Sequence, residues 1–260
     1  MPKIPEIVNA DFVAPRHLAG GGDPAWVTVP LHRACGWNYG HDPLMPRVIL
    51  SSPDHKALLR LDPDPDGQWW ALHHAQQPDR PAWYASFGAH TTVEVIAGLT
   101  DALTAPAAHH AANADPYEPL LDAGWMPAPG KDDLISPDST AYVERLGSTQ
   151  KPGAWLVTAR FGPDRQPLWQ ARFGEHTPPH LITAFTRALA DPSPLLRTGM
   201  PVSIPAYGTK LVTRTQRELP AVQVASALED RVGALAARRP SAPAKSPNPR
   251  RPPASPGRTR

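Results

Sequence analysis

The chain is short of cysteine, of charged residues and of long apolar runs. Its one cysteine, Cys35, excludes an internal disulfide and a zinc cluster built on several thiolates. No stretch approaches the roughly 18 consecutive apolar residues that a membrane span requires. The opening residues, MPKIPEIVNADF, lack the basic and apolar regions of a signal peptide. We therefore expect no membrane contact and a cytoplasmic location.

Motifs that carry chemistry are equally scarce. Gly20–Asp23, GGGD, lacks the Lys-Ser/Thr of a Walker loop and the spacing of a dinucleotide fingerprint, so a turn is favoured over an anion-binding nest. His73 and His74 are neighbours on a predicted strand and point to opposite faces, which argues against a shared metal ion. Cys35 is expected to be a buried thiol. We predict no catalytic residue, no cofactor and no metal site.

Proline and basic charge, by contrast, are concentrated at the C-terminus. Of the 26 Lys and Arg, seven fall within residues 238–260, where there is no acidic residue. The remaining 19 face 24 acidic residues, so an acidic body with a net charge of −5 carries a basic tail. The tail also has seven prolines and no large apolar side chain. Such a segment cannot bury enough surface to offset its ordering entropy, and we predict a disordered tail over 238–260.

Two segments of the chain are near copies of each other. WYASFGAHTTVEVIAGLTDAL begins at Trp83, and WQARFGEHTPPHLITAFTRAL begins 86 residues later, at Trp169. Upstream, SPD occurs at both Ser52–Asp54 and Ser136–Asp138. Three tryptophan pairs keep the same register: Trp37 with Trp125, Trp70 with Trp155, and Trp83 with Trp169. A period this long indicates a duplicated domain and not a solenoid of short repeats.

Each copy predicts strands followed by one helix. In the first copy the strands are RVILSSPD, KALLRL, WWALHHA and AWYASFG, and apolar residues then recur at helical spacing over Val95, Ile96 and Leu99. Thr91 and Glu94 have the spacing of a capping box, and Pro178 suits the first position of the second helix. The predicted fold class is α+β, with two tandem repeats, each a four-stranded antiparallel meander closed by a C-terminal helix.

Three stretches together carry a family resemblance: VAPRHLAGGGDPAWVTVPLHRACGW, the SPD turn and the segment that begins at Trp83. They resemble the actinobacterial family 317 of domains of unknown function, which is usually found as tandem copies. The resemblance covers about residues 11 to 190 and implies tandem domains without implying an activity.

The predicted domain boundaries follow from the repeat and from composition. The strand segment before the first repeat is AWVTVPL, and an amphipathic helix is predicted over Leu219–Ala237, beginning near Pro220. This helix could dock on the body or mediate self-association. The boundaries are 11–106 for the first repeat with its N-terminal strand segment, 107–117 for a linker, 118–197 for the second repeat, 198–237 for an extension with the helix, and 238–260 for the tail.

The repeated aromatic and histidine residues are predicted to be structural. The tryptophans share the phase of Phe87 and Phe173, so a core beneath the helices is favoured over a platform for stacking bases. His90 and His176 each follow a strand; because no acid or nucleophile recurs beside both, packing beside the helix start is favoured over paired ligands or bases.

The outward face of the sheet is the remaining candidate surface. It presents Arg160, Arg172, Thr158 and Gln170 in the second repeat and His73, Ala71, Tyr84 and Ser86 in the first. An ordinary solvated face is the alternative. The predicted contact residues are Arg160, Arg172, Gln170, Tyr84 and His73 on this face and Arg238, Arg239, Arg250 and Arg251 at the tail.

Three classes of function are consistent with these patterns. A non-catalytic interaction module with an unknown protein partner is favoured, because the domain is duplicated and no catalytic set is found. Single-stranded or nonspecific nucleic-acid binding is the alternative, chiefly through the tail and the arginines of the second repeat. On that hypothesis, binding is lost when the tail is removed. An enzyme is the least supported class.

Overall fold

The computed structural model describes residues 6–41, 47–63, 67–106, 114–128, 133–147, 153–162, 166–198 and 210–238. Most of the predicted linker, residues 107–113, and the predicted tail beyond Arg238 lie outside the described residues.

Within this part of the chain, two sets of strands and helices follow one another in the same order. The N-terminal segment contains β1 (Ile7–Ala14), a 3-10 helix (Arg16–Leu18) and α1 (Ala25–Arg33). The first repeat continues with β2 (Asn38–His41), β3 (Val48–Ser51), β4 (Ala57–Leu61), β5 (Trp70–His74), β6 (Trp83–Phe87) and α2 (Val93–Thr104). The second contains α3 (Glu118–Asp122), β7 (Met126–Pro127), β8 (Leu134–Ile135), β9 (Ala141–Leu146), β10 (Ala154–Ala159), β11 (Trp169–Phe173) and α4 (Pro179–Ala190). The C-terminal elements are β12 (Leu195–Thr198), β13 (Thr213–Pro220) and α5 (Ala221–Ala237).

The two repeats share one antiparallel sheet of ten strands. Its order is β2-β3-β4-β5-β6-β11-β10-β9-β8-β7, so the last strands of the two repeats meet at the centre. There Phe87 faces Ala171, Ser86 faces Arg172, and Ala85 faces Phe173. A separate sheet of three strands, in the order β12-β1-β13, connects the two ends of the described chain. The α+β class and the duplication are therefore confirmed.

Each repeat contributes five strands to the large sheet, where the sequence predicted four. The additional strands, β2 and β7, lie at its two edges and follow the equivalent dipeptides Gly36-Trp37 and Gly124-Trp125. Both glycines have positive φ, +70° and +80°, which a residue without Cβ adopts at little cost. The new strands are short and show no apolar alternation, so their sequences carry no strand signal.

The prediction of a strand at AWVTVPL is wrong, because residues Ala25–Arg33 form α1. Asp23 Oδ1 accepts a hydrogen bond from the Ala25 amide at 2.9 Å and so occupies one of the free donors at the helix start. Val27, Pro30 and Leu31 are buried, a helical spacing that overrides the β-branched residues in this stretch. In the same way, Asp115 Oδ1 accepts a hydrogen bond from the Tyr117 amide just before α3. The duplication therefore extends upstream to the Asp-Pro pairs Asp23-Pro24 and Asp115-Pro116.

The core lies between the ten-stranded sheet and the helices. The prediction for the repeated tryptophans is confirmed: all six are at most 9% exposed, namely Trp37, Trp70, Trp83, Trp125, Trp155 and Trp169. Phe185 of α4 contacts Phe87 and Phe173 across the joint between the repeats, with ring centroids 5.7 and 5.1 Å away. Helices α2 and α4 pack so closely that a Cβ at Gly98 would lie 2.7 Å from Ala188 Cβ.

The start of α2 differs from the predicted capping box. The helix begins at Val93, and its N-cap residue Thr92 makes no side-chain cap hydrogen bond; its hydroxyl donates instead to the Arg16 carbonyl at 2.9 Å. Glu94 pairs with Arg197 of β12 through two contacts of 2.6 and 2.9 Å. In the second repeat, the helix begins at Pro179, with Pro178 as its N-cap. Tertiary partners have therefore replaced the local cap that the spacing predicted.

A C-terminal helix was predicted over Leu219–Ala237; α5 begins at Ala221, because Leu219 and Pro220 belong to β13, and it docks on the body. Val232 and Leu235 are buried, and Arg231 forms a bidentate pair with Asp101 of α2 at 2.7 and 3.0 Å. Arg33 of α1 also pairs with Glu229. The N-terminal end of the helix is less covered, with Val222 72% exposed.

Candidate functional site

Among the described residues, no helix covers one side of the ten-stranded sheet. The side chains that alternate with the buried core residues point away from the helices, and several of them are exposed or half-buried. We define the open face by these outward residues on the six central strands: Leu58, Arg60, Ala71, His73, Tyr84, Ser86, Gln170, Arg172, Leu156, Thr158, Tyr142 and Glu144. It includes every outward residue that the sequence predicted except Arg160, which follows β10.

In the first repeat the open face carries an aromatic pair. His73 and Tyr84 face each other on β5 and β6, and their rings are stacked with centroids 6.5 Å apart. Tyr84 is 48% exposed, and the neighbouring Leu58 is 41% exposed. A Cβ at Gly174 would lie 2.8 Å from Tyr84 Cε1, so the phenol ring fits against Gly174 only because this residue has no side chain. The ring thus lies over Gly174 and stays about half exposed.

Two arginines of the open face have no carboxylate partner. Among the described residues, neither Arg60 nor Arg172 forms an ion pair, whereas five other arginines do. Arg172 donates only to the neutral amide oxygen of Gln170, at 3.0 Å. Both guanidinium groups belong to exposed residues. Their charge is therefore available to an outside partner.

The second repeat is less open than the sequence predicted. Thr158 is buried, and the Gln170 amide lies 3.5 Å from its hydroxyl. Arg160 is half-buried, with its guanidinium 4.2 Å from the centre of the Tyr142 ring. Of the predicted contact residues in this repeat, Arg172 is thus the exposed one, and Arg160 and Gln170 are half-buried.

The predicted tail residues are not part of this face. Arg238 ends α5 on the helix side of the molecule and lines a groove of about 1220 Å³ beside α2, α3 and α4. Arg239, Arg250 and Arg251 lie outside the described residues. The structure therefore unites His73, Tyr84, Gln170 and Arg172 on one face and places Arg238 elsewhere.

A polar cluster that the sequence did not reveal lies at the second SPD turn. His17 is 4% exposed, and its Nε2 lies 2.7 Å from Thr140 Oγ1 and 3.2 Å from Asp138 Oδ2. Ser136 donates to Asp138 Oδ1 and accepts the amides of Thr140 and Ala141, which fixes the turn. Trp169 Nε1 donates to the His17 carbonyl at 2.8 Å. The cluster fastens the N-terminal segment to the second repeat.

This environment changes the acidity of Asp138. Burial by itself favours the protonated form, but His17 and the donors from Ser136 and Thr140 favour the carboxylate and hold the pKa of Asp138 well below its usual range. At the first SPD turn Ser52 donates to Asp54 in the same way, but the Asp54 side chain is 59% exposed. Only the second turn is covered by a histidine from elsewhere in the described chain.

The glycine-rich stretch Gly20–Asp23 is a structural turn. Its carbonyls accept hydrogen bonds: Gly20 from Arg197 at 3.3 Å and Gly21 from the Val93 amide at 2.7 Å. A Cβ at Gly22 would lie 2.8 Å from a Val93 methyl carbon, and the φ of Gly22 is +85°. These carbonyl oxygens turn toward the start of α2 and Arg197, which is unlike an anion-binding nest of amides.

The other residues considered for chemistry are dispersed. His90 and His176 are exposed, His74 stacks on Trp83 at 5.3 Å, and Cys35 is buried. In the described ranges, no group of three or more His, Cys, Asp or Glu is arranged to hold a metal ion. Nor does any helix in those ranges have the length and apolarity to cross a membrane.

Together, the duplicated units, the shared sheet and the open face define a tandem α+β protein in which the described residues leave one face of the large sheet uncovered. The chain contains two copies of the SPDY domain, a domain of unknown function (DUF317), at residues 51–109 and 135–195. The predicted tandem copies of this domain are thereby confirmed over these residues. Neither a curated protein nor a solved structure matches the chain.

Proposed function

We propose that the protein is a non-catalytic binding module and that the open face is its contact surface. The proposal takes each repeat as a meander backed by its C-terminal helix, so that the helices supply the core on one side and leave the other side free. The observation that supports it most is Tyr84, a large side chain that is fixed against Gly174 and half exposed at the centre of a broad sheet. Fixed, exposed aromatic residues are typical of contact surfaces.

Two kinds of partner fit this surface. Leu58 and Tyr84 offer apolar area to a protein. Nucleic acid is the second candidate. Arg60 and Arg172 form no ion pair within the described part of the chain, and residues 238–260 carry seven basic side chains. We therefore favour a cytoplasmic protein that binds one of these partners through the open face, with the basic tail adding electrostatic attraction to an acidic partner.

Site-specific photocrosslinking tests the contact surface without assuming the class of partner. The crosslinking amino acid p-benzoyl-phenylalanine would replace Tyr84, and in a matched control it would replace Arg187, an exposed residue of α4 on the helix side. We expect a discrete adduct from position 84 in the native host cells and none from position 187. Protease and nuclease digestion then assign the adduct to protein or nucleic acid. Equal adducts at both positions, or none at either, would contradict the proposal.

A further inference from the structure

The two unpaired arginines of the open face lie in a single row across the sheet. Arg60, Ala71, Ser86 and Arg172 are successive cross-strand partners on β4, β5, β6 and β11. Three strand spacings separate the arginine backbones, a distance of about 14 Å. Ala71 and Ser86, between them, have short side chains. Between the two arginines this row presents only short side chains, and we call this part of the row the channel. It crosses the joint between the repeats.

The aromatic pair lies beside this channel. His73 and Tyr84 belong to the same two central strands, β5 and β6, and each is two residues away from Ala71 or Ser86 on the same face. The planes of the two rings are inclined by 29°, and their centroids lie 6.5 Å apart. A planar group entering the channel would meet an aromatic surface on one side and an arginine at either end.

The charge of this region is opposite to that of the body. The chain without residues 238–260 has a net charge of −5, and most of its buried or half-buried arginines are neutralised by carboxylates, as in Arg197 with Glu94 and Arg231 with Asp101. Among the described residues, Arg60 and Arg172 of the open face form no ion pair, and the face as defined holds one acidic residue, Glu144, two strands from Arg172. Charge complementarity therefore selects an anionic partner for this part of the surface.

We infer that the open face binds single-stranded nucleic acid, with a base stacked on the Tyr84–His73 pair and phosphates at Arg60 and Arg172. This inference rests on the proposed function, since it names a partner for the same surface. Stacking on tyrosine requires an unpaired base, and a duplex keeps its bases inside its own stack. A single strand can therefore stack one base on the Tyr84–His73 pair and place phosphates at Arg60 and Arg172 at the same time.

The competing account assigns all nucleic-acid binding to the basic tail. Fluorescence anisotropy of labelled dT20 separates the two, using the full chain and a full-length variant with glutamine at Arg239, Lys245, Arg250, Arg251, Arg258 and Arg260. We expect the neutral-tail variant to bind dT20 more weakly than the natural chain but still measurably. A 20-base-pair duplex should bind the neutral-tail variant more weakly than dT20 does.

Substitutions on the open face then locate the contacts in the neutral-tail background. Tyr84→Ala should weaken dT20 binding about 5- to 150-fold, whereas Tyr84→Phe should retain it, because stacking needs the ring and not the hydroxyl. Arg60→Gln and Arg172→Gln should each reduce the slope of log affinity against log salt by about 0.7. Arg187→Gln, on the helix side, should leave the slope unchanged. Thermal melting of each variant shows that the fold is intact.

The results distinguish this inference from the proposed function. Loss of all dT20 binding when the tail is neutralised, or unchanged binding by Tyr84→Ala, would overturn the inference. If Tyr84 crosslinks a protein while dT20 does not bind, the inference fails and the proposed function stands. The absence of both a crosslink and dT20 binding would overturn both.

Discussion

Replacing His17 with alanine should destabilise the protein, although His17 belongs to neither SPDY segment. The imidazole makes the 2.7 Å contact with Thr140 Oγ1 and the 3.2 Å contact with Asp138 Oδ2, and its ring lies edge-on to Trp125. His17→Ala removes these contacts and leaves Asp138, whose side chain is 25% exposed, beside a cavity. Leaving a buried polar group without its partner costs about 1–3 kcal/mol, and the lost ring packing adds to this cost. We expect a loss of about 2–4 kcal/mol in the free energy of unfolding.

Urea denaturation at pH 7, followed by tryptophan fluorescence and far-ultraviolet circular dichroism, measures this loss. His17→Ala should lower the midpoint without changing the slope, which reports the surface exposed on unfolding. His90→Ala is the matched control, because His90 is exposed, and it should change stability by less than about 0.5 kcal/mol. If His17→Ala unfolds at the same urea concentration as the natural chain, the contacts of His17 at the second SPD turn do not stabilise the fold.

The pH dependence of the same cluster has a defined sign. Because the folded protein holds the pKa of Asp138 below its unfolded value, this carboxylate stabilises the fold fully above the unfolded pKa of about 3.9. That stabilisation is lost as the pH falls from the unfolded toward the folded pKa. The stability difference between the natural chain and Asp138→Asn should therefore narrow as the pH is lowered from 5 to 3. A difference that stays constant over this range would contradict the lowered pKa.

Two further predictions concern helix packing and ion pairing. Gly98→Ala should destabilise by about 1–2 kcal/mol because its Cβ would lie 2.7 Å from Ala188 Cβ, whereas Gly233→Ala on α5, which has open space around it, should stabilise by about 0.5–1 kcal/mol. Differential scanning calorimetry should show melting temperatures shifted in opposite directions; shifts of the same sign would refute the packing of α2 on α4. Glu94→Gln should lower the free energy of unfolding by about 2–3 kcal/mol, and with it the urea midpoint, because Arg197 and Glu94 are only 10% and 17% exposed. Glu229→Gln, in the exposed pair with Arg33, should leave the midpoint unchanged. Equal effects of these two substitutions would contradict the difference in burial.

The sequence predicts the core of each repeat because the core depends on local periodicity. The tryptophans recur in register, and the apolar spacing of Leu99 in α2 and Phe185 in α4 shows which side of each helix is buried. The outward positions of His73, Tyr84 and Arg172 follow from the same alternation. That alternation does not predict which outward side chains lack partners, so Arg60, at one end of the channel, is not among the predicted contact residues. Its position opposite Ala71 depends on strand pairing.

Other features depend on contacts between distant segments. Three features join residues more than 80 positions apart: the pairing of β6 with β11 between the repeats, the pairing of Glu94 with Arg197, and the position of His17 beside Asp138. One signal for His17 was nevertheless in the sequence. His17 precedes Asp23-Pro24 by the same spacing as His109 precedes Asp115-Pro116, although His109 lies outside the described residues. Extending the comparison of repeats upstream would have identified this histidine as part of the duplicated unit.

The most direct test of the architecture is the pairing of β6 with β11, which makes the two repeats one platform. The Gly88 amide donates to the Gln170 carbonyl and the Gly174 amide to the Tyr84 carbonyl, each at 2.9 Å. By the alternation of an antiparallel ladder, Phe87 with Ala171 and Ala85 with Phe173 are then close pairs that do not exchange hydrogen bonds. Nuclear Overhauser spectra of selectively labelled protein should show Hα–Hα contacts for both pairs. If these contacts are absent while the Leu156–Arg172 contact within the second repeat is present, the repeats do not share a sheet.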